Sequence, residues 1–285
     1  MKASAAWVLS IAAAAAVVGS VAILAARRGR ASRCPAPLIA LQARCCAPGQ
    51  SLQSGRCVGP PLACPEGFDR ISDGCVVRRH RVRINPGHLQ LGPGDWEAQG
   101  VVEPHQIAIA VPYWLDSHEA TVADWNRCVD AGGCEERLDD EPGRPVRGRN
   151  FQQALRFCQW AGGALPTHGE WIFAAAGPHA RRYPWGDTGA VCSRASWGLA
   201  AGPCSREADG PDWAGMAAGD LTPDGVADMA ASVSEWVRRD PRAPATAGGS
   251  WSSSFAAELR TWHAIERDPS LQSDQVGVRC RYDSG

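Results

Sequence analysis

Residues 144–177 read RPVRGRNFQQALRFCQWAGGALPTHGEWIFAAAG. Asn150 is a helix-capping residue, and the helix it opens is expected to stop at the Gly162-Gly163 pair. Leu165-Pro166-Thr167, followed by Glu170-Trp171, reads as a proline-entered turn with a Thr cap for the next helix, with Trp171 a core residue. Upstream, TVADWNRCVDAG predicts an earlier helix capped by Thr121, with Val122, Trp125 and Val129 on one stripe. Before it, the alternating runs VVRRHRVRI and HQIAIAVPYWL predict strands flanking the turn-rich NPGHLQLGPGD. Downstream, Ala174 to Ala247 is rich in Gly, Pro, Asp and Trp with little periodicity. Disulfides, bound ions and tryptophan packing are expected to organise so long an irregular stretch.

The 285 residues carry a net charge of -1 and 45% hydrophobic content, which is ordinary for one large or two small globular domains. Scattered arginines give no basic groove, so a nucleic-acid partner is not expected. Twelve cysteines point to an oxidising compartment, and the absence of C-x-x-C pairs favours disulfides over zinc. Ala3 to Ala26 carries no charge and as a helix would reach roughly 36 Å, enough for a bilayer core. The positive-inside rule would hold Arg27, Arg28, Arg30 and Arg33 in the cytoplasm, against the cysteine argument. Ser20-Val21-Ala22 also offers a signal-peptidase site. Residues 1–33 are therefore expected to be an apolar helix serving as signal peptide or membrane anchor, and the body to lie outside the cytoplasm in the cell envelope.

Cys34 to Cys45, Cys46 to Cys57 and Cys64 to Cys75 share one spacing, and CAPGQSLQSGRCV and CPEGFDRISDGCV share a fuller pattern. Turn residues before each closing cysteine suit a small loop or hairpin stapled at its base. Three local pairs are expected, although six cysteines allow fifteen connectivities. So short a segment cannot bury a core of its own. Residues 34–77 therefore read as a cysteine-rich stalk, or a small recognition module, ahead of a domain spanning 78–285.

From about Val82 to Tyr282 the chain resembles the formylglycine-generating enzyme (sulfatase-modifying factor) family. The matches run in order: RINPGHLQLG, HQIAIAVPYWLDSHEAT, the stretch 144–177, RYPWGD, VADMAASVSEWV, GGSW, LR and VGVRC. The resemblance implies an α+β, C-type-lectin-like fold with much irregular structure, and a disulfide between Cys158 and Cys280. Cys128 with Cys134, and Cys192 with Cys204, then remain as short-range pairs. It also implies two possible calcium sites. One comprises the Asp228 and Glu235 side chains with the carbonyls of Ala231 and Val233; the other, weakened by a serine for the usual asparagine, comprises Ser196, Trp197, Asp209 and Pro211.

Family enzymes bind copper(I) between two thiolates, activate oxygen there and oxidise a client cysteine to formylglycine. In AGGSWSSSFAAELRTW, residues 247–262, the two thiol positions fall on Ser253 and Glu258. Copper(I) is soft and requires sulfur, so copper is not expected. Nor is a serine hydrolase, because no base or oxyanion site is evident and His263 stands alone. The expected function is a non-catalytic module binding an extracytoplasmic protein, peptide or glycan; the alternative is a divergent oxidoreductase of the same family.

Overall fold

The structure, a computed structural model, describes residues 34, 36–42, 44–91, 105–239 and 243–284. The apolar helix expected within residues 1–33 lies outside the described residues. No helix among the described residues is long and apolar enough to cross a membrane.

The cysteine-rich segment folds as three antiparallel hairpins: β1 (Ile39–Leu41) with β2 (Arg44–Cys46), β3 (Ser51–Gln53) with β4 (Arg56–Val58), and β5 (Phe68–Ile71) with β6 (Gly74–Val77). Three disulfides staple them, Cys34–Cys45, Cys46–Cys57 and Cys64–Cys75. Where the sequence suggests a stalk, these hairpins pack on the domain. Leu38, Ala47, Phe68, Cys75 and Val77 share a buried cluster with Trp213 and Ala214. Gly143 lies so close to the Cys75 carbonyl that a Cβ there would sit 2.3 Å from its oxygen.

The domain begins with β7 (Arg81–Ile84), the β8 (Gly87–Leu91) and β9 (His105–Ile109) hairpin, and β10 (Tyr113–Asp116). Three helices follow: α1 (Val122–Asp130), α2 (Phe151–Trp160) and α3 (His168–Ala176). Each starts with a reciprocal capping box, in which Thr121 pairs with Asp124, Asn150 with Gln153 and Thr167 with Glu170. The helix α2 ends ahead of Gly162, which takes the left-handed φ of 80° that favours glycine. The remaining strands are β11 (Ser234–Arg238), β12 (Pro244–Ala247), β13 (Ala264–Glu266), β14 (Val276–Gly277) and β15 (Arg281–Asp283).

Two sheets frame the core. One has strand order β15-β10-β7 and brings the last strand beside the first strands of the domain; the other runs β13-β12-β11-β14, with the β11–β14 pair parallel. The helix α3 packs its Trp171, Ile172 and Phe173 with Ile84, Leu89, Leu115 and Val237 in one cluster. Helices α1 and α2 contribute Trp125, Phe157 and Cys158 to a second, which Cys158–Cys280 ties to the strand end.

Between α3 and β11 the chain runs without a helix or a named strand. The Cys192–Cys204 disulfide closes part of it, and carboxylates cap its turns. Asp220 accepts from the amides of Ala230 and Ala231 (2.9 and 3.2 Å to Oδ2), Asp228 accepts from Gly215 N, and Arg279 Nη2 donates to the Ala227 carbonyl at 2.7 Å. Side-chain hydrogen bonds to buried backbone thus take over the satisfaction a ladder would supply.

Candidate functional site

The turn after β12 is built on two glycines. Gly248 has a φ of 78°, and a Cβ there would meet the Met229 carbonyl oxygen at 2.9 Å and the Trp171 ring at 3.2 Å. A Cβ on Gly249 would lie 3.1 Å from both Ser253 Oγ and the Glu258 carbonyl oxygen, so this glycine lets the two ends of the following loop close together. Gly249 N donates to the Ala230 carbonyl (2.9 Å), and Ser234 Oγ donates to the Gly248 and Gly249 carbonyls. The loop is thereby fixed to the irregular stretch on one side and to β11 on the other.

Ser253 is 7% exposed, and its Oγ accepts from the Ser250 amide at 3.0 Å while its own amide donates back to the Ser250 carbonyl at 3.0 Å. Its hydroxyl is committed to closing the turn. Glu258 lies in a 3-10 turn, Ala256–Leu259, and is half-buried. The half-buried His263 imidazole is held below its ordinary range, first by burial, against which the nearby Glu258 charge pulls upward. No hydrogen bond joins Ser253 to His263 among the described residues. At its rim Phe255 is 69% exposed. The loop thus presents an apolar ring and a carboxylate to solvent, beside a hydroxyl that is already paired.

All twelve cysteines are in disulfides: the three in the hairpins, Cys128–Cys134, Cys158–Cys280 and Cys192–Cys204, with none left free. In each set of calcium positions one carboxylate is already engaged by arginine. Asp209 pairs with Arg44 and Arg144, and Ser196 Oγ donates to Asp212, itself paired with Arg206. Trp197 is buried in a neighbouring cluster, and Pro211 has only its backbone carbonyl oxygen to offer. Around Asp228, Ala231, Val233 and Glu235, the cation is a guanidinium. The Glu235 carboxylate is held by Arg279 at 2.7 Å, with both partners fully buried, and accepts from Trp171 Nε1 at 2.6 Å. Among the described residues no three His, Cys, Asp or Glu side chains gather as a metal site would need. Asp209 and Glu235, already bonded to arginine, are a poor fit to a hard cation, which needs six to eight oxygens, whereas Asp228 accepts from the Gly215 amide.

Sequence reasoning missed three residues of this buried cluster: Glu119, Asp220 and Arg279. Glu119 is completely buried, with its carboxyl beside that of Asp228. Burial, and then the Asp228 charge, raise it well above the usual carboxylate range, while Asp228 is pushed up to about 6, chiefly by burial. The usable signal was an arginine inside the apolar run VGVRC: a charge in a buried strand requires buried acids to face it.

Residues 71–284 match the family model of the sulfatase-modifying factor enzyme 1-like domain. The serine/threonine-protein kinase pkn1 of Chlamydia pneumoniae is 27% identical over 236 residues, covering 67% of this chain and 36% of the kinase. This chain thus spans about a third of that relative's length. The formylglycine-generating enzyme of Thermomonospora curvata is 26% identical over 227 residues, covering 69% of this chain and 70% of that enzyme. The inactive Cα-formylglycine-generating enzyme 2 of Bos taurus is 27% identical over 190 residues, covering 61% and 60%. Among solved structures, PvdO from Pseudomonas aeruginosa superposes with a TM-score of 0.60 at 15% identity, covering 72% of this chain and 94% of PvdO, which is a likeness of fold. With a family model matched over most of its length, the chain belongs to the sulfatase-modifying factor (formylglycine-generating enzyme) domain family.

Proposed function

We propose that this chain is a non-catalytic member of its family: an extracytoplasmic binding module for a protein, peptide or glycan, held at the cell envelope by its N-terminal segment. The observation that carries this reading is the full use of its sulfur. With every cysteine in a disulfide, no thiolate remains for copper(I), and a hydroxyl and a carboxylate are hard donors. Ser253 and Glu258 stand where the resemblance puts the two thiols. Six disulfides agree with folding in an oxidising compartment. An inactive relative in the same family fits a fold kept for binding. The exposed Phe255 supplies the apolar contact that such a loop would offer a ligand.

The test is titration of the disulfide-intact protein with chelator-buffered copper(I), followed by oxygen uptake with a cysteine-containing peptide. The protein is expected to take up no stoichiometric copper and to consume no oxygen, while the Ser253→Cys, Glu258→Cys double variant gains one copper(I) site. A one-to-one copper complex of the unaltered chain with peptide-dependent oxygen uptake would instead establish the divergent oxidoreductase.

A further inference from the structure

The loop carrying Asp209 and Asp212 is held by arginines, and one of them comes from the cysteine-rich segment. Arg44, on β2, has a side chain only 10% exposed; its Nε donates to the Gly55 carbonyl of the second hairpin at 3.1 Å, and its guanidinium pairs with Asp209. Arg144, 3% exposed, faces the same Asp209 carboxylate at 3.6 Å, as well as Asp140 at 3.4 Å and Glu141 at 3.7 Å. Arg147 pairs with Asp140 at 2.9 Å, and Arg206 pairs with Asp212. Arg44, Arg144, Arg147 and Arg206 thus meet Asp140, Glu141, Asp209 and Asp212 with their charges balanced. The space is also filled: a Cβ on Gly210 would lie 2.6 Å from the Arg147 guanidinium and 3.1 Å from that of Arg144. A divalent cation here would add two positive charges beside Arg44 and Arg144, whose side chains are almost out of water although the Asp209 carboxylate is 64% exposed.

We propose that the cysteine-rich segment is an intramolecular clamp, and that Arg44 does for the 205–216 loop what a hard cation would do. The order of this loop then depends on the hairpins and their disulfides and is indifferent to calcium. Glu141 completes the clamp. Its carboxylate accepts from the Cys57 amide in the second hairpin (3.2 Å) and from Trp213 Nε1 in the loop (2.7 Å), joining the two pieces through one side chain. The inference concerns the Asp209 region alone and stands whether or not the domain proves catalytic.

Thermal unfolding of the full, oxidised chain tests it. The midpoint is expected to be the same in EGTA and in millimolar calcium. Arg44→Met and Asp209→Asn should each lower it by about 2–4 °C, and the double variant by clearly less than their sum, because the two substitutions share the Arg44–Asp209 pair. A saturable calcium-dependent rise of the midpoint that Asp209→Asn abolishes would overturn the proposal, as would fully additive single effects. Should either variant fail to fold, the calcium titration of the unaltered chain and the hydrogen-exchange protection of residues 205–216 with and without EGTA remain decisive: protection lost on chelation defeats the clamp, and protection kept supports it.

Discussion

His118 shows what burial beside positive charge does to a single side chain. Its Nδ1 lies 2.9 Å from Ser117 Oγ, and the His80 ring stands edge-on to it with centroids 6.4 Å apart. Burial first, then the charges of Arg279, His80 and Arg79, lower its pKa from 6.5 to about 3. The folded protein therefore holds His118 neutral in a range where the unfolded chain would protonate it. The stability it contributes is whole above pH 6.5 and drains away as the pH falls toward 3, at about 1.4 kcal/mol per unit once well below 6.5. Glu119 and Asp228, raised by burial, tilt the other way, their contribution falling as the pH rises. The informative quantity is thus the difference between two proteins. Urea unfolding from pH 7 to 4.5 should show His118→Gln losing less stability with acid than the unaltered chain; equal slopes would place His118 in water. Nothing in SHEAT announces this, since a histidine's burial is fixed by which arginines fold over it. The three N-caps, by contrast, were legible because a cap is a contact within four residues.

At the scale of elements, the Cys158–Cys280 bridge links the helix α2 to the chain immediately before β15, across a sequence separation of 122. Cys280 N also donates to the Asp116 carboxylate, and Ala164 N donates to the Arg281 carbonyl at 2.9 Å, so the strand end is secured on both faces. A loop of that length corresponds to about 5 kcal/mol in the chain-entropy description. The Cys158→Ala, Cys280→Ala variant is expected to lose a large part of it, read as a fall in denaturant midpoint with the m-value rising or unchanged. Cys128→Ala, Cys134→Ala, which opens a loop with a separation of six, should cost clearly less. Equal costs would mean that native-state strain, not loop closure, sets the balance. The helices and hairpins were legible because their signals are local: caps, glycine stops and a cysteine spacing of eleven residues repeated three times. The stretch between α3 and β11 was not, because its order comes from carboxylates such as Asp220 reaching backbone amides ten residues away. The region of Ser253 and Glu258 was legible as a position between GGSW and LR, but the capture of the Ser253 hydroxyl by the Ser250 amide required the folded turn.

For the molecule as a whole, Trp213 is where segment and domain become one body. Its ring lies 6.2 Å from that of Phe68 in the third hairpin, tilted by 47°, and it is buried with Leu38, Ala47 and Val77. Its Nε1 donates to Glu141, the same carboxylate that receives the Cys57 amide. A short, disulfide-stapled segment cannot bury a core alone, so it borrows one from the domain, and in return it covers a domain tryptophan that would otherwise face water. The composition break after Cys75 marks a change in sequence character, and the folded boundary is crossed by side chains. Trp213→Ala removes the shared ring and one donor to Glu141, a loss of about 3–5 kcal/mol for a buried aromatic. That loss falls at the junction, so the hairpins should detach before the domain unfolds. Limited proteolysis of the oxidised variant is expected to cut between Val77 and Arg81 faster than in the unaltered chain, with α2 and β15 still protected from hydrogen exchange. Cleavage and exchange that accelerate together throughout the domain would show instead that the two pieces unfold as a single cooperative unit.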